Sequence, residues 1–156
     1  MPVRCVAFVV SGASVIVVDG IVPDAQADPV EIQADETWTL QKGDPSAAYA
    51  VMYQRCADYV REHRVGLAVV KASAAGARGG LALLKSAELR GAVIAAAASY
   101  CEVRQMAKSA VSRSYGDRNV DEYLDNEPFW HAQTTGGTLR KMSREAAMYI
   151  IAARAG

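Results

Sequence analysis

The first 18 residues constrain the fold most, because they hold two runs of β-branched residues separated by a short turn signal. Residues 3–10 and 14–18 have the composition of β-strands. Ser11, Gly12 and Ala13 lie between them. Glycine and small polar residues between two such runs predict a β-hairpin. We therefore expect the chain to open with an antiparallel sheet.

Strand and helix patterns alternate after the hairpin. Residues 31–40 alternate in the manner of a third strand. Asp44 before Pro45 has the pattern of an N-cap and a first helical residue, which predicts a helix up to Arg64. The patterns that follow are a buried strand over 65–71, a helix over 81–100, a strand over 102–106, a helix over 107–114, a helical turn over 120–124 and a terminal helix over 143–154. The predicted order is βββαβαβαα, with a polar loop over 131–141.

Size and composition indicate one compact domain. The chain has 156 residues, of which 51% are hydrophobic and 22% charged, so we expect a packed core in a single domain over residues 1–156. Cys5, Cys56 and Cys101 are far apart and odd in number, which favours buried thiols in a reducing compartment. No signal-peptide pattern and no apolar stretch of roughly 20 residues is present. We therefore expect a soluble cytoplasmic protein without a membrane partner.

Charge is balanced over the whole chain but segregated along it. Basic and acidic residues both number 17, so net charge gives no reason for nonspecific attraction to nucleic acid or membranes. Residues 1–44 hold two basic and seven acidic groups, whereas residues 45–118 hold eleven basic and five acidic groups. The basic residues in or beside predicted loops are candidate phosphate contacts: Arg78, Lys108, Arg113 and Arg118. Those within predicted helices are expected to solvate helix surfaces and pair with nearby acids: Arg55, Arg61, Arg64, Lys85 and Arg90.

Three longer segments carry a resemblance to a known family. They read VGLAVVKASAAGARGGLALLKSAELRGAVIAAAASY, QMAKSAVSRSYGDRNVDEYL and REAAMYIIAA, and together they cover more than half of the chain. With the element order, they resemble the RuvC-like resolvase branch of the ribonuclease H-like superfamily. The resemblance implies an α/β fold with a ribonuclease H-like mixed sheet, in which three antiparallel N-terminal strands precede alternating helices and strands.

The resemblance also implies where catalytic carboxylates would lie. In that superfamily several acids on the sheet and terminal helix hold two divalent ions for phosphodiester cleavage. The first-strand acid would fall near position 8 or 10, in a run that has no Asp or Glu, and the central-strand acid would fall at 70–72, where the chain has Lys71. The paired acids of the terminal helix would align with Glu145 and Met148, which leaves Glu145 as the candidate catalytic residue.

One carboxylate cannot hold two Mg²⁺ ions, because this hard cation needs several oxygen ligands. We therefore expect no metal site and no cofactor, unless nuclease activity is retained with Mg²⁺. The first functional hypothesis is a catalytically lapsed RuvC-like domain that acts as a nucleic-acid-binding or accessory module for DNA or RNA. Lys71 would join the candidate basic residues by neutralising a phosphate, although an exposed strand end explains this lysine as well.

Two other hypotheses follow from the same residues. A protein-interaction or assembly module, including a homodimer, would use exposed aromatic side chains at Phe129 and Trp130 or at a strand edge near Trp38. An active metal-dependent nuclease would need rearranged acids that converge within reach of one ion. The candidate acids for such a site are Asp19, Glu88 or Asp121 with Glu145.

Overall fold

The computed structural model describes residues 1–73, 80–114 and 119–155. Its strands are β1 (Val3–Ser11), β2 (Ser14–Val22), β3 (Val30–Thr39), β4 (Leu67–Lys71), β5 (Glu102–Met106) and β6 (Thr134–Thr135). Its helices are α1 (Pro45–Glu62), α2 (Gly80–Ala98), α3 (Lys108–Ser114), α4 (Val120–Leu124), α5 (Glu127–Gln133) and α6 (Arg144–Ala155). A 3-10 turn over Lys141–Ser143 leads into α6.

The first three strands form the antiparallel sheet that the sequence predicts. Ser11 pairs with Ser14 across the turn, where Gly12 adopts a φ of 59°, a conformation that glycine tolerates best. The full strand order is β5-β4-β1-β2-β3-β6. β4 and β5 are parallel to β1, so the C-terminal ends of these three strands lie at the same edge of the sheet.

Local sequence explains where the long helix α1 begins and ends. The Asp44 side chain accepts a hydrogen bond from the amide of Ala47 at 3.2 Å, and Pro45 occupies the first turn, where its missing N–H costs nothing. The helix ends at Glu62, and Arg64 then turns the chain with a φ of 52°. This turn delivers the chain to β4, whose central residues are fully buried.

Each face of the sheet has its own hydrophobic core. The core on one face joins the sheet to α1 and α2, through residues such as Phe8, Val10 and Leu89. The core on the other face joins the sheet to α6 and the short helices, and it includes Ala7 and Val9. Neighbouring residues of β1 therefore face different helical layers, as the period of a strand requires.

The mixed α/β sheet expected from the sequence is confirmed, but two elements near the C-terminus, α5 and β6, were not predicted. The polar segment 131–141 contains the end of α5 and the short strand β6, which pairs in parallel with Val30 and Glu31 of β3. Two of the expected buried thiols, Cys5 and Cys56, are buried, and Cys101 is partly exposed. In the described part of the chain, no helix has the length and apolar character needed to cross a membrane.

Candidate functional site

The C-terminal end of β4 carries a lysine that contacts the first turn of α6. The Lys71 ammonium lies 2.8 Å from a carboxylate oxygen of Glu145, and both side chains are mostly buried. Val69 faces the core beneath α6, so Lys71, two residues further along the strand, points to the same layer. Lys71 is therefore an ion-paired residue and not a simple exposed strand end.

A second lysine joins this pair from α3. The Lys108 ammonium lies 3.5 Å from Glu145 and 2.9 Å from Asp121 of α4. Burial would lower the pKa of Lys108, but its contacts with Asp121 and Glu145 outweigh burial and raise the pKa. We call Lys71, Lys108, Asp121 and Glu145 the lysine–carboxylate cluster. Its two positive and two negative charges balance.

Tyr149 lies one helical turn after Glu145 and forms the buried side of the cluster. Burial raises the pKa of its phenol, and the negative charge of Glu145 raises it further. The side chain is fully enclosed in the core beneath α6. The buried side chain of Tyr149 shields this side of the ion pair from water, which strengthens the attraction between Lys71 and Glu145.

The residues around Glu145 do not fit the pair of divalent ions that the resemblance implies. The ammonium groups of Lys71 and Lys108 are both within 3.5 Å of its carboxylate, in the space where such an ion would bind, and they repel cations. The β1 side chains that face this layer are Cys5, Ala7 and Val9, and none of them is a carboxylate. The first-strand position was expected near Phe8 or Val10, but those residues face α1 and α2. The β1 positions that do face α6 are therefore one residue away, and they also carry no acid.

The rearranged acids of the nuclease hypothesis do not converge on Glu145. Asp19 is fully buried on the other side of the sheet, where it accepts hydrogen bonds from Arg4 and Tyr59. Glu88 lies on α2 and accepts a hydrogen bond from Tyr49. Of the proposed acids only Asp121 reaches the cluster, through Lys108. Across the ranges that the structure describes, no three His, Cys, Asp or Glu side chains are grouped so that they could hold a metal ion.

Asp35 of β3 anchors the segment that leads into α6. Its carboxylate accepts hydrogen bonds from the backbone amide and guanidinium of Arg140, at 2.9 and 2.8 Å, and from the Ser143 hydroxyl. Burial would raise the pKa of Asp35, but the hydrogen bonds from Arg140 and Ser143 outweigh burial and lower it. These bonds hold the start of α6, and so the position of Glu145, against the sheet.

We expect Asp35→Asn to lose about 1–2 kcal/mol of stability near neutral pH, because charge-assisted hydrogen bonds are lost. A lowered pKa means that the ionised carboxylate stabilises the fold above its ordinary value of 3.8 and that this contribution fades as the pH falls below it. The difference in the free energy of unfolding between wild type and Asp35→Asn should therefore be smaller in acid. Urea unfolding midpoints at about pH 7 and about pH 3 measure it. An equal difference at both values would contradict this role of Asp35.

The five predicted nucleic-acid contacts have different outcomes. Lys71 and Lys108 both lie at the C-terminal edge of the parallel strands, but each is paired with a carboxylate. Arg78 and Arg118 lie outside the described residues, and so does the side chain of Arg113. The structure therefore brings two of the five candidates together, in a charge-balanced cluster. Their role in binding stays a prediction.

The helical basic residues follow the expected pattern only in part. Arg61 pairs with Asp58 at 3.1 Å, as helical spacing predicts. Arg55 instead reaches across to β3, where its guanidinium covers the Trp38 ring at 4.5 Å. Arg90 is buried and donates to the Ser73 hydroxyl at 2.6 Å. These long side chains stabilise packing between layers as well as solvating helix surfaces.

Two of the three aromatic residues proposed as an interaction surface are in the core. Trp38 is 1% exposed and Trp130 is 4% exposed, so the prediction that they are exposed is wrong, whereas Phe129 is partly buried against the core. Trp38 packs against Tyr59 and Phe8 beneath α1. The Trp130 indole donates to the carbonyl of Tyr123 at 2.8 Å, while Phe129 packs between the two rings. The contacts of Trp130 and Phe129 with Tyr123 hold α5 against α4.

Sequence reasoning missed the partners of Glu145 and one exposed apolar surface. Nothing local links Lys71 to Glu145, because 74 residues separate them and only the packing of α6 on the sheet brings them together. On α2, Leu81 and Leu84 are 66% and 61% exposed. Leu81 and Leu84 are three residues apart and therefore share one face of α2, and this spacing could have indicated the apolar surface from the sequence.

Comparison with known proteins agrees with this architecture. No protein-family model and no curated protein matches the chain. Among solved structures, Thermus thermophilus RuvC superposes with a TM-score of 0.75 at 13% identity, over 96% of this chain and 92% of RuvC. T. thermophilus RuvC in complex with a Holliday junction substrate gives a TM-score of 0.70 at 12% identity, over 99% and 96% of the two chains. The yeast mitochondrial Holliday junction resolvase Ydc2 gives 0.64 at 11% identity, over 98% of this chain and 79% of Ydc2. The chain therefore has a ribonuclease H-like fold of the RuvC-like type.

Proposed function

We propose that this chain is a catalytically lapsed RuvC-like domain that binds nucleic acid without cleaving it. The observation that carries the proposal is the ion pair between Lys71 and Glu145 at the end of β4. An ammonium group beside the candidate catalytic carboxylate opposes the binding of divalent ions, and Ala7 and Val9 supply no replacement ligand from β1. The scaffold that remains is similar over nearly its whole length to a RuvC that was solved with a branched DNA substrate.

Nucleic-acid binding draws on the basic central region of the chain. Residues 45–118 carry eleven basic and five acidic groups, and Lys71 and Lys108 lie at the strand ends where loops and helix starts meet. Lysine and arginine contacts to phosphates supply most of the nonspecific affinity of such proteins and make it salt-dependent. The test is binding of labelled duplex, branched and single-stranded DNA and RNA at low and moderate salt. We expect binding that weakens as salt rises, and no binding at low salt would contradict the proposal.

Neutralising Glu145 should strengthen nucleic-acid binding. In the wild type its carboxylate draws in the ammonium groups of Lys71 and Lys108. Glu145→Gln keeps the shape of the side chain and releases Lys71 toward a phosphate, while Lys108 keeps its contact with Asp121. We expect about threefold to tenfold tighter binding at low salt, with a steeper salt dependence. Fluorescence anisotropy with a labelled duplex measures this change.

Asp125→Asn is the matched control for Glu145→Gln, because it also removes one negative charge but from an exposed pair with Lys141 outside the cluster. It should tighten binding less than Glu145→Gln does. Equal effects of the two variants would assign the change to net charge alone. Weaker binding by Glu145→Gln would contradict a repulsive role for Glu145.

A second candidate function is an assembly module, and the exposed surface of α2 favours it. Leu81 and Leu84 are mostly exposed, and the exposed positions that follow them on the helix include Gly91 and Ala95. A helix that is apolar on several sides is usually covered by a partner. This candidate predicts a homodimer that Leu84→Asp converts to monomer, measured by sedimentation equilibrium. A wild-type monomer at all concentrations tested would contradict it.

A further inference from the structure

A preformed cleft lies beside the turn of the β1–β2 hairpin. Its volume is roughly 460 Å³, and its walls come from the hairpin turn, the β3–α1 connection, the start of α1 and the first half of α2. Hydrogen bonds fix these walls. The Gly12 amide donates to the Ser86 hydroxyl at 3.0 Å, and the Tyr49 hydroxyl donates to Glu88 at 2.9 Å. We call this space the hairpin cleft, and its principal lining residues are Leu40, Lys42, Pro45, Tyr49, Ala82 and Lys85.

The lining of the cleft carries a net positive charge, because it holds two lysines, Lys42 and Lys85, and one carboxylate, Glu88, which accepts a hydrogen bond from Tyr49. The chain has five lysines, all within the described residues. Three of them, Lys71, Lys108 and Lys141, are paired with carboxylates. The other two, Lys42 and Lys85, have no acidic partner in the described ranges, and both line the hairpin cleft from different elements. An apolar interior with two free ammonium groups suits a ligand that has an apolar body and anionic groups on either side.

The cleft lies at the edge of the sheet formed by the C-terminal ends of β1 and β4. β1 and β4 are adjacent and parallel, and they end at Ser11 and Lys71. The hairpin turn that borders the cleft therefore lies at the same edge as the lysine–carboxylate cluster, with the cleft on the α1–α2 side and the cluster on the α6 side. A polymer that crosses this edge would contact both surfaces.

We infer that the hairpin cleft binds an unpaired nucleobase of a single-stranded nucleic-acid segment. The base enters between Pro45, Tyr49 and Ala82, while Lys42 and Lys85 bind the phosphates that flank it. Bases stack on aromatic and apolar side chains whatever their sequence, and basic residues along the path hold the backbone. This inference rests on the proposed function, because it names the nucleic-acid conformation that the domain binds.

The test compares a single-stranded oligonucleotide that carries one 2-aminopurine with the same oligonucleotide in a duplex. Lys42→Ala/Lys85→Ala removes two phosphate contacts. We expect the slope of log K against log salt for single-strand binding to become shallower by about 1.4. Ala82→Leu fills the cleft but keeps both charges. We expect single-strand affinity to fall about tenfold with an unchanged slope, and the 2-aminopurine emission change to disappear. Duplex binding should stay as in the wild type.

The control is Arg64→Asn, which removes one exposed charge about 27 Å away at the other end of the 18-residue α1. Asparagine tolerates the left-handed backbone of this position. If the protein binds nucleic acid but both cleft variants keep the wild-type single-strand affinity and salt dependence, the inference is overturned and the proposed function is left intact. A mononucleotide bound as tightly as the oligonucleotide, or an acidic peptide captured in place of it, would also overturn the inference. Absence of all nucleic-acid binding would overturn both.

Discussion

Lys71→Glu should make the stability of the fold depend on divalent ions when Lys108→Met also removes the second ammonium group beside Glu145. Without such ions we expect the double variant to lose about 2–3 kcal/mol, because the ion pair with Glu145 becomes a repulsion between two mostly buried carboxylates. Mg²⁺ or Mn²⁺ at about 100 times its dissociation constant should restore about 2.7 kcal/mol through binding to the folded state alone. Urea unfolding with and without the ions measures both effects.

Two comparisons make this result specific to the cluster. Wild type should unfold at the same urea concentration with and without the ions, since Lys71 and Lys108 leave Glu145 with no room for a cation. Lys71→Met removes the ion pair without adding a repulsion, so we expect it to lose only about 1 kcal/mol and to gain nothing from the ions. Stabilisation of the wild type by Mg²⁺ or Mn²⁺ would contradict our account of the site.

Asp19→Ala should destabilise the fold by about 3 kcal/mol, the second large effect that we expect. Asp19 is fully buried, and it accepts hydrogen bonds from the Arg4 guanidinium at 2.6 and 3.0 Å and from the Tyr59 hydroxyl at 2.6 Å. Truncation leaves the Arg4 charge and the Tyr59 hydroxyl without these partners at the junction of β1, β2 and α1. Urea unfolding monitored by circular dichroism gives the loss.

A double variant distinguishes the loss of the ion pair itself from the cost of leaving the Arg4 charge without a partner. Arg4→Met/Asp19→Leu replaces both charges with apolar groups, and buried ion pairs replaced in this way often recover much of the lost stability. We expect the double variant to be more stable than Asp19→Ala. Folded Asp19→Ala protein should still bind nucleic acid, because Asp19 faces α1 and not the lysine–carboxylate cluster. A stability change of less than about 0.5 kcal/mol in Asp19→Ala would refute a structural role for this carboxylate.

The fold was largely predictable because its elements carry local signals. The β-branched runs around Gly12 specify the hairpin, and Asp44 with Pro45 specifies the start of α1. The strand β6 was missed, since two threonines have no pattern of their own and are a strand only through their pairing with β3. Short elements of this kind depend on tertiary contacts and not on local sequence.

The sequence predicted where Lys71 and Glu145 lie in the fold but not that they contact each other. Resemblance to the RuvC-like branch picked out Lys71 and Glu145, whereas the contact between them depends on how α6 packs on the sheet. The β1 position of the acid that the resemblance implies was misplaced by one residue. A shift of one residue along a strand moves a side chain to the opposite face of the sheet. Trp38 was misjudged because its burial comes from Arg55 and the rings of the α1 layer, all distant in sequence.

Single-turnover cleavage of a labelled four-way DNA junction tests the central claim most directly. Protein in excess over the junction, at low salt and with Mg²⁺ or Mn²⁺, keeps all of the DNA bound, so even slow cleavage would be detected. Our account predicts that the bound junction stays intact and that wild type and Glu145→Ala give the same result. Product that forms with the wild type and disappears with Glu145→Ala would show that Glu145 still serves catalysis, and it would contradict a lapsed site.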